Sequence, residues 1–341
     1  ILSRHSDRYT SLLGREHQHR VASVGGVLIG QVSTDHGIPS WRDWIEQDGV
    51  GICWSGICEE YLGAEYDGDV IRQIAGTVED RPEDIARWNG RFGLCVWNRD
   101  AQRVVITSAA TECVNGWYTE GPNGYAIGNR AVPLLEMTGQ SPAIAVDVAR
   151  TYLACGFLVG EGSLFKKVQR MPARRQAVLQ QGKPVAIKSY LSLPEYLSSP
   201  RAATRWDDVV DASVESLVGR IRRQGQYSPN PRLLLTAGRD SRCIAAALAR
   251  CGFQGPAWTM GEEGSTEIAL ASRAAEALCL EYEYERMPAA PSPLACVNPE
   301  NAGRWTEISE GMETFRHALS YQAFFRGERP IPTSLEQVFH G

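Results

Sequence analysis

The sequence predicts two domains, a strand-rich α+β first half and an α/β second half built on a parallel sheet. Three observations predict this. The chain has 341 residues, more than one ordinary core holds. The first half carries short β-branched and Gly-bearing stretches separated by turn residues. The second half alternates continuous apolar runs with Ala-rich helical stretches, the pattern of β-α-β units.

In the first half, residues 21–32 and 51–58 read as strands. Residues 91–97 and 103–108 read as two strands joined by the turn 98–102. Another strand is expected at 124–128, after the Gly121-Pro-Asn-Gly124 turn. Short helices are expected at 68–75 and at 81–88, where Pro82 suits a helix start. Residues 147–153 should be helical, and a strand pair is expected over 177–185. The Ser- and Pro-rich stretch 193–203 reads as the linker, giving domains at 1–195 and 204–341.

In the second half, Trp206, Val209, Val210, Ser213, Leu217 and Ile221 fall at helical spacing and predict a helix over 204–223. Buried parallel strands are expected at 233–236 and 257–260, and a third strand at 281–284. Helices are expected at 243–250 and 266–278, the latter capped by Ser265 with Glu267 in its first turn. Strand, helix, strand, helix, strand implies right-handed crossovers.

Composition narrows the function. With 43% apolar and 22% charged residues the chain reads as soluble and globular. A net charge of -5 offers no basic face for nucleic acid and no polybasic run for an anionic membrane. No apolar run reaches the ~18–20 residues of a membrane helix. The polar first residues do not form a signal peptide, and a start at Ile1 implies a natural N-terminus upstream. Nine singly scattered cysteines without a CxxC pair read as reduced, mostly buried thiols of a cytoplasmic protein. His17 and His19 lie in a charged segment read as mobile, and are not taken as metal ligands.

The segment Leu233-Leu-Leu-Thr-Ala-Gly-Arg-Asp-Ser-Arg242 carries the chemistry. A buried strand ends, a small-residue turn follows, and Asp240 and Ser241 open a helix. Ligands of α/β sheets bind at the carboxyl ends of strands. The N–H groups and dipole of a helix start favour phosphate, and Gly238 lets the backbone approach it. Asp240 can hold magnesium on the phosphates and Ser241 can donate a hydroxyl. The same residues also fit a plain strand–turn–helix joint with a polar cap. Arg239 and Arg242 fit either phosphate contacts or a solvated helix start.

This segment resembles the SGGxDS pyrophosphate loop of the ATP-pyrophosphatases, in particular of the asparagine synthetase family, with Thr236 and Ala237 in place of Ser and Gly. Ala257-Trp-Thr-Met-Gly261 resembles the family's second strand, so Leu235 and Met260 would flank the adenine. Residues 310–325 resemble the helix before a second nucleotide loop, of which His340 and Gly341 would be the first positions. The junction residues Gly156-Phe157, Ser163-Leu-Phe165 and Arg170-Met-Pro172 resemble the family's link between halves.

The resemblance implies an ATP and pyrophosphate site made of Leu235, Thr236, Ala237, Gly238, Arg239, Asp240, Ser241, Met260, Gly261, His340 and Gly341. Asp240 would be the metal ligand, ATP and Mg2+ the cofactors, and the catalytic residues would lie beyond Gly341.

Residues 20–150 resemble that family's N-terminal-nucleophile, class II glutaminase domain. Asn89-Gly-Arg-Phe-Gly-Leu-Cys-Val-Trp-Asn98 and Tyr125-Ala-Ile-Gly-Asn-Arg-Ala131 carry the likeness. The implied fold is thus an Ntn-hydrolase-like sandwich followed by a parallel PP-loop domain, incomplete at its C-terminal end.

The glutaminase chemistry does not carry over. It needs a terminal Cys nucleophile, and the first cysteine is Cys53. In Trp54-Ser-Gly-Ile-Cys-Glu59 the glutamine-binding Asn is replaced by Ser55.

The expected function is therefore an ATP-dependent ligase. It would adenylate a substrate carboxylate and join it to an amine carried by a peptide or small molecule, as in lasso-peptide macrolactam cyclases, with biosynthetic partner proteins expected. The alternatives are a β-lactam or other small-molecule amide synthetase, an asparagine synthetase, or a non-catalytic nucleotide-binding scaffold. An RNA-modifying thiolase is disfavoured by the missing basic patch and CxxC pair.

Overall fold

The computed structural model describes residues 18–33, 42–110, 116–155, 158–181, 183–198, 205–225, 232–253, 255–286 and 338–339. They fall into two compact units, one ending at Ser198 and the other resuming at Arg205. Together they form a mixed α/β structure with several sheets.

The first unit opens with the hairpin β1 (Gln18–Val24) and β2 (Val27–Ser33). Gly25 and Gly26 make its two-residue turn with φ of 55° and 79°, as a type I′ turn requires. The unbroken stretch expected over 21–32 is thus two strands. His19 stands in β1 and is exposed, which corrects the reading of its segment as mobile. His17 lies outside the described residues.

Next come β3 (Trp44–Gln47), β4 (Val50–Cys58), helix α1 (Gly68–Asp80), the 3-10 turn Pro82–Arg87, β5 (Gly90–Asn98) and β6 (Arg103–Ser108). These are followed by β7 (Gly116–Gly121), β8 (Gly124–Gly128), α2 (Ala131–Met137), α3 (Val146–Cys155), β9 (Gln169–Met171), β10 (Arg175–Gln180), β11 (Ala186–Ser189) and α4 (Leu193–Ser198). Helix α4 replaces the first part of the expected linker. Pro194 in its opening turn is no obstacle, because the N–H it lacks has no helical partner there.

A six-stranded antiparallel sheet in the order β11-β10-β6-β5-β4-β3 is the centre of this unit. In β5, Phe92, Leu94 and Val96 are buried on one face while Trp97 is buried on the other. Both faces are therefore covered. Helix α1 lies against β4, β5 and β6 and buries Ile71, Ile74 and Val78. On the opposite face, Ala22, Val24 and Ile29 of the hairpin and Met171 of β9 join Trp97, Val104, Ala177 and Leu179. Asp43 pins the hairpin, accepting from Arg20 at 3.1 Å and from Gln31 at 3.3 Å. A three-stranded sheet in the order β8-β7-β9 shares a second core with α2 through Trp117, Leu134 and Leu135.

The second unit holds α5 (Trp206–Gly225), β12 (Arg232–Leu234), α6 (Arg239–Arg250), β13 (Ala257–Gly261), α7 (Thr266–Ala277), β14 (Tyr282–Arg286) and β15 (Val338–Phe339). Its sheet is wholly parallel, in the order β14-β13-β12-β15. Leu233 and Ala257 of the strands, and Leu235 just after β12, pack with Ala245 and Leu248 of α6 and with Ala271 and Ala275 of α7. Alanines on the helices let them lie close to the sheet. Only the C-terminal part of α5 meets this core, through Val218 and Ile221, and Trp206 is 76% exposed. The N-terminal apolar positions that predicted the helix are therefore uncovered by the described residues. Among the described residues, no helix is long and apolar enough to cross a membrane.

Candidate functional site: the β12–α6 turn

Strand β12 lies inside its sheet, with β13 on one side and β15 on the other. The chain leaves β12 toward β13 and returns to its other flank at β15. The order of strands thus reverses at β12, and such reversal points open a crevice at the carboxyl ends of the strands. The segment from Leu235 to Ser241 occupies that end.

Ser241 organises the turn. Its residue is only 4% exposed, and its Oγ lies 2.8 Å from Thr236 Oγ1 and accepts the Thr236 N–H at 3.1 Å. The same hydroxyl lies 3.2 Å from the carbonyl oxygens of Thr236 and Gly238. Thr236 Oγ1 accepts the Gly238 N–H at 3.1 Å. A methyl group at Gly238 would meet Thr236 Oγ1 at 3.0 Å, so the turn closes over space that a larger residue would take. Gly238 precedes α6 without a side chain to cap it, which leaves the N–H groups of the first helical turn no side-chain acceptor from that position. Asp240 sits in that first turn and is exposed.

The other expected site residues are spread around this turn. Leu235 is fully buried in the core, its N–H bonded to the Trp258 carbonyl at 2.9 Å and its carbonyl accepting the Thr259 hydroxyl. It therefore offers a ligand little side-chain surface. Met260 is half-buried and Gly261 buried at the end of β13. Arg239 is exposed, and Arg242 donates its Nε to the Gly238 carbonyl at 3.2 Å. His340, Gly341 and the helix expected over 310–325 lie outside the described residues. Among the described residues, no three His, Cys, Asp or Glu side chains gather as a metal cluster.

One residue escaped sequence reasoning. Glu267 reads there only as an acid in the first turn of α7, favourable to the helix dipole. Its Oε1 accepts the N–H of Ala237 at 3.0 Å, tying α7 to the β12–α6 turn. Sequence offers no signal for this, because the two residues are brought together by the parallel pairing of β12 with β13.

No family model matches this chain, and no curated protein matches it. A solved structure described as the allosteric regulatory enzyme of purine biosynthesis overlaps it at a TM-score of 0.35 and 10% identity, over 83% of this chain. The chain spans 61% of the length of that structure.

Within the first unit, Ser55 of β4 is bonded to Asn129, whose Nδ2 donates to its Oγ at 2.9 Å. Ser55 stands in the segment that resembles the glutamine-binding one. The thiols nearby are poor nucleophiles: burial pushes Cys58 and Cys95 each up to about 12 and raises Cys53 as well.

Proposed function

We propose that the chain is part of an ATP-dependent amide ligase of the asparagine synthetase type, working without a glutaminase. The observation that carries this is the β12–α6 turn. Its small residues, buried Ser241 and exposed Asp240 stand at the carboxyl end of a parallel strand where the strand order reverses. The site residues given above, His340 and Gly341 included, belong to this proposal.

The residues suit magnesium held chiefly by phosphate oxygens, since one exposed carboxylate, Asp240, stands beside a helix start. When bound, that ion would neutralise charge on the polyphosphate. In the proposed reaction a substrate carboxylate attacks the α-phosphorus of ATP, the bond to the bridging oxygen breaks, and pyrophosphate leaves. An amine then attacks the acyl carbon, loses a proton, and AMP departs. The turn's part is to hold and orient the pyrophosphate portion. Met260, at the end of β13, is proposed to line the adenine side.

Glutaminase activity is not part of the proposal. Ser55 and Asn129 satisfy each other where the resemblance implies a glutamine pocket, and desolvation raises the thiols of Cys53 and Cys95. The amine would then come from an organic substrate, a peptide in the macrolactam-cyclase reading. Thr236 and Ala237 depart from the family loop and favour a second reading, a scaffold that binds nucleotide without turnover.

The test is nucleotide product analysis on the full-length protein with magnesium-ATP and candidate substrates. AMP and pyrophosphate that disappear in Asp240→Ala, a loss of at least about 100-fold, are the expected result. Bound ATP without AMP would favour the scaffold.

A further inference from the structure

The peptide joining Thr236 to Ala237 is held at both ends. Its N–H donates to Glu267 at 3.0 Å, and its carbonyl oxygen lies 3.2 Å from the Ser241 hydroxyl. Because a peptide group is planar, these two contacts fix its rotation. Glu267 is itself firmly placed. Ser265 caps α7 by accepting the Ile268 N–H at 3.4 Å. Gly261 packs so closely beneath that a methyl group there would lie 3.2 Å from Ile268. Among the described residues, Glu267 forms no ion pair with a basic side chain, so its described partner is the turn itself.

We infer that Glu267 is a positioning residue of the β12–α6 turn, orienting the Ala237 peptide so that its N–H faces α7 and anion recognition falls to the first turn of α6. This rests on the ligase reading of that turn. An alanine at position 237 has fewer backbone options than a glycine would have. An external acceptor supplies the constraint that holds the peptide in one orientation. The carboxylate touches no substrate in this role and acts only through the peptide it holds.

The experiment is calorimetric titration of the full-length protein with magnesium pyrophosphate and with magnesium-ATP, in the wild type, Glu267→Ala and Glu267→Gln. Loss of a charge-assisted hydrogen bond should weaken both ligands about tenfold in the alanine variant. The glutamine variant keeps an acceptor oxygen at the same reach and should stay within about threefold of wild type. Unchanged affinity in Glu267→Ala overturns the inference while leaving the ligase reading standing. Tighter binding in that variant overturns it too, and would make the carboxylate a competitor for the anion. A glutamine variant as weak as the alanine one shows that charge matters and peptide orientation does not. A wild type that binds neither ligand removes the ligase reading and this inference together. If Glu267→Ala does not fold, the comparison of glutamine variant with wild type decides alone: a loss beyond threefold overturns the inference and a loss within it upholds it.

Discussion

Gly56 shows how much a single position in β4 is asked to do. Its φ is +83°, and a methyl group there would sit 2.0 Å from the backbone oxygen of Arg91 on the neighbouring strand. Gly56 and Phe92 are cross-strand partners, so the clash falls on the ladder backbone itself and not on a side chain that could turn away. Gly56→Ala is expected to destabilise the first unit by about 3 kcal/mol or more, read as a fall in the urea midpoint. The sequence marks Gly56 as part of a segment of interest, but glycine alone does not announce a left-handed conformation in mid-strand. Ser265 was legible as a cap because its role depends on residues adjacent in sequence. The Glu267 contact was not, since it depends on the packing of two crossovers.

At the scale of elements, legibility followed length and periodicity. Helix α1 has buried Ile71, Ile74 and Val78 at helical spacing and was expected, though it runs on to Asp80. The parallel strands β12 and β13 were expected from their apolar runs, and β14, which is mostly exposed, from its place after a helix in the strand–helix alternation. Strands β7 and β9, and helices α2 and α4, are short, and a few residues do not establish a period. Caps offer a sharper test than boundaries. Asp67 accepts the N–H groups of Asp69 and Val70 at 3.0 Å and 2.9 Å at the start of α1. Asp67→Ala should cost about 1 kcal/mol, while Asp67→Asn, which keeps the acceptor, should cost only a few tenths. Chemical denaturation of both variants measures the difference.

For the whole molecule, the buried thiols set a limit on alkaline stability. Cys58 and Cys95 are raised by burial from an ordinary value of 9.0 to about 12. Once unfolded they ionise near 9, whereas folded they stay neutral. Their contribution is thus complete below pH 9 and is lost as pH rises from 9 toward 12. Stability should fall by roughly 1 kcal/mol per thiol per pH unit across that window. Cys58→Ala and Cys95→Ala should flatten the slope of urea midpoint against pH, even where they lower the midpoint at pH 7. The division into two units was foreseeable from the change of pattern near residue 200. The place of Leu235 was not, because the residue expected to flank a ligand is claimed by the core.

The placement of β15 has a consequence for how the chain is made. Arg232 of β12 pairs with Val338, while β13 and β14 are supplied by residues that follow β12 closely. During synthesis, at about 5–20 residues per second, β12, β13 and β14 are complete several seconds before Val338 is added. For that interval β12 is an outer strand, with a row of N–H and C=O groups open to any passing chain. The flank that later pairs with β15 is the flank that a nascent chain must keep from wrong partners while it waits.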